Sequence, residues 1–135
     1  MAETLSPLRS LPLTDLSEEE RMFKDQVRGF AEEKVRPLVA KMDEAAKLQP
    51  ELIRQCFDLG LMGVEIPEKF GGAGATFFMS ILAVEELARV DASLAVLVDV
   101  QNTLVNNALL RWASEALKAK YFPKLATQWV GAYAL

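Results

Sequence analysis

Asp91-Ala92-Ser93-Leu94-Ala95-Val96-Leu97-Val98-Asp99-Val100-Gln101-Asn102-Thr103-Leu104-Val105-Asn106-Asn107-Ala108-Leu109-Leu110-Arg111-Trp112 decides the fold. Asp91 has the side chain of a helix cap, and the run from Ala92 to Trp112 carries no glycine or proline. It is apolar nearly all round, with a polar stripe at Asp99, Asn102, Thr103 and Asn106. A helix apolar over most of its surface is buried by its neighbours. The richest stretch, Leu94 to Leu110, is interrupted by Asp99, Gln101, Asn102, Asn106 and Asn107, too polar for a membrane span. The chain therefore predicts a central buried helix with others packed around it. Buried polar groups need partners, so the stripe either bonds neighbouring helices or faces a ligand or another subunit.

Upstream of Asp91, Thr76 caps a helix running to about Val90, with Met79, Leu82, Ala83, Leu87 and Val90 inward. Glu85 and Glu86 are adjacent and point about 100° apart, so they cannot share one substrate atom; Glu85 and Arg89 are spaced as an ordinary helical ion pair. Downstream, Ser114 caps a last helix with Leu117, Tyr121, Phe122 and Leu125 inward, Lys118, Lys120 and Lys124 outward, and Pro123 bending or shortening it. Nearer the start, Ser17-Glu18-Glu19-Glu20 forms a capping box. Phe23, Val27, Phe30, Ala31, Val35, Leu38, Val39 and Met42 then share one helical face, with Pro37 dividing a helix to about Arg36 from one to about Lys47. Pro50 opens a short helix that Gly60 stops; Leu61 to Ile66 reads as an extended link. Gly71-Gly72-Ala73-Gly74 lacks the ending of a phosphate-binding loop and reads as a turn requiring positive φ. The predicted class is all-α, an orthogonal bundle of five to six helices.

Fifty-one per cent of the 135 residues are hydrophobic, enough for a real core, and the net charge of −4 with no basic run argues against nucleic acid. The chain has no histidine, which removes Ser-His and Cys-His nucleophiles and histidine metal sites. Cys56, the lone cysteine, falls on an apolar helical pattern and reads as core. The arm before Leu16, with Pro7 and Pro12, lacks a basic start and a long apolar run, so a cytoplasmic setting is expected. Trp112 and Trp129 read as packing residues.

Val130-Gly131-Ala132-Tyr133-Ala134-Leu135 breaks the helical pattern and reads as the start of a β-strand. A lone strand has no sheet stability. The chain is therefore expected either to be the front of a longer protein or to carry an unpaired stub.

Four stretches resemble the acyl-CoA dehydrogenase family. They are Phe30-Ala31-Glu32-Glu33-Lys34-Val35-Arg36-Pro37; the run from Leu59 through Pro67-Glu68-Lys69-Phe70-Gly71-Gly72-Ala73-Gly74; Glu85-Glu86-Leu87-Ala88-Arg89-Val90-Asp91-Ala92-Ser93; and Lys120-Tyr121-Phe122-Pro123-Lys124-Leu125 followed by Gly131 to Leu135. Val100-Gln101-Asn102-Thr103-Leu104 looks most like the short/branched-chain members. Thr127-Gln128-Trp129 departs from the Gly-Glu or Gly-Lys that often precedes the family's strand.

The resemblance implies an arm over residues 1–15, an amino-terminal helical domain over 16–129, and the first strand of a β-domain over 130–135. It implies an FAD enzyme that introduces an α,β double bond into a short or branched acyl-CoA, usually as a homotetramer, with electron-transferring flavoprotein as partner. Carried over to this chain, Tyr133, Ala134 and Leu135 would contact the flavin, and Val96, Leu97, Val100 and Leu104 would line the acyl pocket. The catalytic Glu falls at none of these residues, so the 135-residue chain alone is expected to be inactive. The alternatives are a stand-alone helical module that binds another protein or itself, and a related acyl-CoA oxidase or flavin monooxygenase.

Overall fold

A computed structural model describes residues 15–134; the N-terminal arm and Leu135 lie outside it. The described residues form an all-α architecture of five helical rods. The first is composite: α1 (Glu18–Phe30), a π-helical turn (Ala31–Val35), a 3-10 turn (Arg36–Leu38) and α2 (Val39–Ala45). Then come α3 (Pro50–Asp58), α4 (Phe77–Ala88), a second composite rod of α5 (Ala92–Asp99), a π-helical segment (Val100–Asn106) and α6 (Asn107–Trp112), and last α7 (Glu115–Thr127).

The expected caps form. Ser17 and Glu20 close the capping box at 3.2 and 2.8 Å, and Thr76, Asp91 and Ser114 each accept from the backbone three residues on. After α3, Gly60 (φ 73°) bonds Phe57 O while Leu61 bonds Cys56 O, the paired closure that a left-handed glycine permits.

Pro37 does not break the first rod. The backbone stays right-handed, and Arg36 N–H reaches back five residues to Ala31 O. Widening the turn ahead of proline absorbs its missing N–H and its crowding of the preceding turn. The rod stops at Ala45, two residues before the expected end, because Ala46 turns left-handed at φ 47°. An alanine is strained there, so Ala46→Gly is expected to stabilise the chain by about 0.5–1 kcal/mol and raise Tm by about 2–4 °C in a thermal melt. Pro123 sits inside α7 and does not shorten it.

α4 packs on α1 and on α5, and this three-helix contact holds the main core. Val27, Phe30, Ala31, Val35, Met42, Leu52, Cys56, Leu87, Leu94 and Val98 are buried there, with Phe23, Leu38 and Val39 against them. Each fully buried Val, Leu or Phe contributes about 1.5–3 kcal/mol. A second cluster joins Ile66, Phe122, Leu125 and Ala126, with Phe70 and Phe122 ring centroids 5.5 Å apart. Leu117, expected inward, is exposed.

The link from Leu61 to Ile66 is not extended. It is a chain of turns, with every residue but Glu65 buried. The glycine loop folds back along it: Ala73, Gly74 and Ala75 N–H groups bond Gly63, Ile66 and Val64 carbonyls at 2.8–3.0 Å. Gly71 and Gly74 have the expected positive φ, whereas Gly72 has another reason: a side chain there would collide with the Ile66 carbonyl.

Val130 to Ala134 form no ladder, and among the described residues there is no second strand for them to join. No described helix is long and apolar enough to cross a membrane.

Candidate functional site

The second composite rod has two working edges. On its inner edge, buried amides supply the backbone partners that the irregular link lacks. Asn102 accepts from Val64 N–H at 3.0 Å and donates to Leu61 O at 2.7 Å and Val98 O at 2.9 Å. Asn106 donates to Met62 O at 2.9 Å, leaving its own Oδ1 without a partner. Of the polar stripe, Asn102 and Asn106 are thus structural. Thr103 turns back along the helix, its hydroxyl donating to the Asp99 carbonyl and carboxylate, both at 2.9 Å.

On the outer edge, Val96 and Leu104 are exposed and Val100 is half-buried. Leu97 instead packs against the main core. Leu104 opens onto a cleft of about 380 Å³ that also holds Phe77, Thr103, Asn107, Ala108, Arg111, Trp112 and Tyr133. The structure therefore brings together one expected acyl-pocket residue, Leu104, and one expected flavin contact, Tyr133. It leaves Val96 and Val100 outside that cleft, and Ala134 is exposed. Phe77, Asn107 and Arg111 were not singled out from sequence. The spacing Thr103, Asn107, Arg111 is a helical stripe that becomes visible once Leu104 is known to face outward.

Arg111 supplies the cleft's cation, its Nε donating to Asn107 Oδ1 at 2.6 Å. Behind Asn107 stands Glu65. Burial pushes its carboxyl above the ordinary value, against the lowering effect of Ser80, Asn107 and Arg111. Among the described residues the cleft's polar side chains are Thr103, Asn107, Arg111 and Tyr133, which can bind and orient a polar group. A larger hollow of about 630 Å³ lies beside the end of α2 and the α4–α5 turn, and it contains none of the expected site residues.

The adjacent carboxylates behave differently from the sequence expectation. Arg89 approaches Glu86, at 3.8 Å, rather than Glu85. Glu86 is 1% exposed and receives Arg28 in a two-point pair at 2.8 and 2.9 Å, with Lys24 at 3.5 Å. Burial raises its pKa, but the Arg28 hydrogen bonds and the charges of Arg28, Arg89 and Lys24 outweigh burial and hold it below the usual value. This cluster ties α1 to α4 and opens onto no cleft described above. Cys56 is fully buried, which pushes its thiol up to about 12 and leaves it unreactive.

A sequence profile described as "Acyl-CoA dehydrogenase, N-terminal domain" matches residues 17–128. The chain is 51% identical over 124 residues to a probable short/branched chain specific acyl-CoA dehydrogenase of Dictyostelium discoideum, covering 92% of this chain and 30% of that protein. It is 50% identical over 117 residues to the mitochondrial short/branched chain specific acyl-CoA dehydrogenase of Bos taurus, covering 87% and 27%. Among solved structures, butyryl-CoA dehydrogenase of Megasphaera elsdenii superposes with a TM-score of 0.77 at 32% identity, over 83% of this chain and 30% of that one. The chain thus spans less than a third of these relatives' length. A profile match over most of the chain, on a helical architecture shared with a solved dehydrogenase, places this chain in the acyl-CoA dehydrogenase family, as its N-terminal domain.

Proposed function

We propose that this chain is the helical front of an FAD enzyme that desaturates a short or branched acyl-CoA between its α and β carbons. The observation that carries the reading is the cleft in which Leu104, on the buried rod, faces Tyr133, on the extended segment. In this reading Val96, Val100 and Leu104 wall the acyl chain, with Leu97 supporting them from the core side. Tyr133 to Leu135 meet the flavin and lead into a following β-domain. The residues present suit a flavin. Among the described residues, the backbone groups of Ala132, Tyr133 and Ala134 make no hydrogen bond within the chain, so they are free for a planar partner with donors and acceptors along its edge. When bound, FAD supplies the acceptor for the β-hydride. Electron-transferring flavoprotein as acceptor, a homo-oligomeric state and a cytoplasmic setting belong to the same proposal.

The test uses the natural gene product that carries this sequence. It should be yellow and should reduce its flavin with butyryl-CoA in preference to palmitoyl-CoA. Leu104→Phe, which narrows the groove, should lower kcat/KM for a branched acyl-CoA by about tenfold, the effect of one or two misplaced methylenes in an apolar pocket. The 135-residue chain alone should show no oxidation. A colourless product, or one with no acyl-CoA-dependent bleaching, overturns the proposal.

A further inference from the structure

Gln101 is fully buried on the π-helical segment, one residue from Val100 and three from Leu104. Its amide contacts none of the link residues that Asn102 and Asn106 hold. Nε2 donates to Leu125 O at 2.9 Å and Trp129 O at 3.0 Å, while Oε1 accepts from Gly131 N–H at 2.6 Å. Both its N–H donors and one oxygen lone pair thus engage the end of α7 and the segment beyond it. Trp129 N–H also bonds Lys124 O at 2.8 Å, but among the described residues Val130 and Ala132 to Ala134 have no backbone hydrogen bond to one another or to the rest, which leaves the Gln101–Gly131 bond as the hydrogen-bonded anchor beyond Trp129. The same π-helical segment also seats the backbone of Gly131. A Cβ there would lie 2.5 Å from Val105 Cγ1, so the chain rests directly on Val105.

We infer that Gln101 is a positioning residue that fixes the Tyr133 segment against the acyl wall, so that one helical segment sets both flavin contact and acyl groove. This rests on the function proposed above and deepens it. The wide turn presents Gln101 and Val105 to the segment while Leu104 faces the cleft. The side chain takes the place of a neighbouring strand, holding the segment before any sheet pairs with it.

The experiment compares Gln101→Met, Gln101→Glu and Asn106→Met in the natural gene product. Met keeps the volume of Gln101 and removes all its hydrogen bonds. Glu keeps an acceptor for Gly131 but sets a carboxylate against the Leu125 and Trp129 carbonyls, and it serves if the Met variant does not fold. Asn106→Met removes a comparable buried amide from the same segment without touching residues 129–131. Both Gln101 variants should weaken FAD, measured by reconstitution of the apoprotein, by about tenfold or more, as expected for lost hydrogen bonds at an ordered segment. They should also shift the flavin absorption band. Q101M should in addition accelerate hydrogen exchange at the Gly131 amide by about tenfold or more. The KM for butyryl-CoA should stay within about twofold while kcat falls. Asn106→Met should lower Tm and leave FAD affinity and the flavin band unchanged. The inference is overturned if Q101M binds FAD like the wild type, or if Asn106→Met weakens FAD equally. A wild-type product without flavin overturns the proposed function, and with it the flavin half of the inference, whatever Gly131 exchange shows.

Discussion

Asn102→Leu destabilises the chain by about 3–5 kcal/mol, read as a lower midpoint in urea unfolding at unchanged slope. Leu keeps the branching of the Asn side chain, is bulkier, and removes every polar atom. It strands the Val64 N–H and the Leu61 carbonyl, which Asn102 serves at 3.0 and 2.7 Å, both on buried residues of the link. Each buried orphan costs about 1–3 kcal/mol. Asn102→Asp sharpens the test. A carboxylate still accepts from Val64 but faces the Leu61 and Val98 carbonyls with no proton to offer. Burial and those carbonyls raise its folded pKa, so the lost stability returns as pH falls and the acid form regains a donor. Thr103→Ala is the control, expected within about 0.5 kcal/mol, because the Thr103 hydroxyl only bonds back to Asp99 on its own helix.

Glu86→Gln lowers stability at neutral pH by about 2–3 kcal/mol. Breaking a fully buried pair costs more, but Arg28 is 42% exposed and turns to water when its partner is neutral. The loss is pH-dependent in a fixed sense. Because the folded pKa of Glu86 lies below its ordinary value of 4.5, the unfolded chain takes up this proton first. The contribution of Glu86 is complete above about pH 4.5 and declines as pH falls through the folded value. Denaturant unfolding across this range should show wild type and E86Q converging in acid. Curves that stay parallel down to the acid limit would refute the role given to the cluster. Glu65 has the opposite sign: its raised pKa means that acidification relieves a cost, so it does not account for the acid loss. Glu32 and Glu115 are also held low by Arg36 and Lys118, but on the surface, where screening leaves such pairs little weight.

Helix starts were readable because each rests on one short-range device: Ser17, Thr76, Asp91 and Ser114 cap the turns that follow them. The inner face of the first rod was readable because the apolar spacing from Phe23 to Met42 survives a local change of pitch. That same tolerance hid both π-helical turns, since one wide turn barely disturbs a 3.6-residue pattern. Glu86 and Glu85 look alike in sequence, and the difference is Arg28, 58 residues away on another helix. Likewise nothing near Leu61 shows that its carbonyl is served by Asn102, so the link looked extended when its bonds were in fact long-range. At the site, Val96 and Leu104 face outward, whereas Leu97, one residue from Val96, turns to the core. The cleft's remaining lining came from α4 and α6, whose approach to Tyr133 no local pattern specifies.

The wide turn at Val100–Asn106 also acts as a rotational offset within its rod. One residue beyond the α-helical count turns everything after it by about 100° relative to an unbroken helix. Arg111 and Trp112 owe their place on the cleft to that surplus, as much as to their own identity. Rewinding the same residues at ordinary pitch would swing α6 away from Leu104, with no side chain of α6 altered. Helical pitch here is as much a determinant of the cleft as residue type. A relative one residue shorter here, wound as an ordinary helix, would keep α6 on the same face, so the wide turn holds the cleft's geometry against the extra residue.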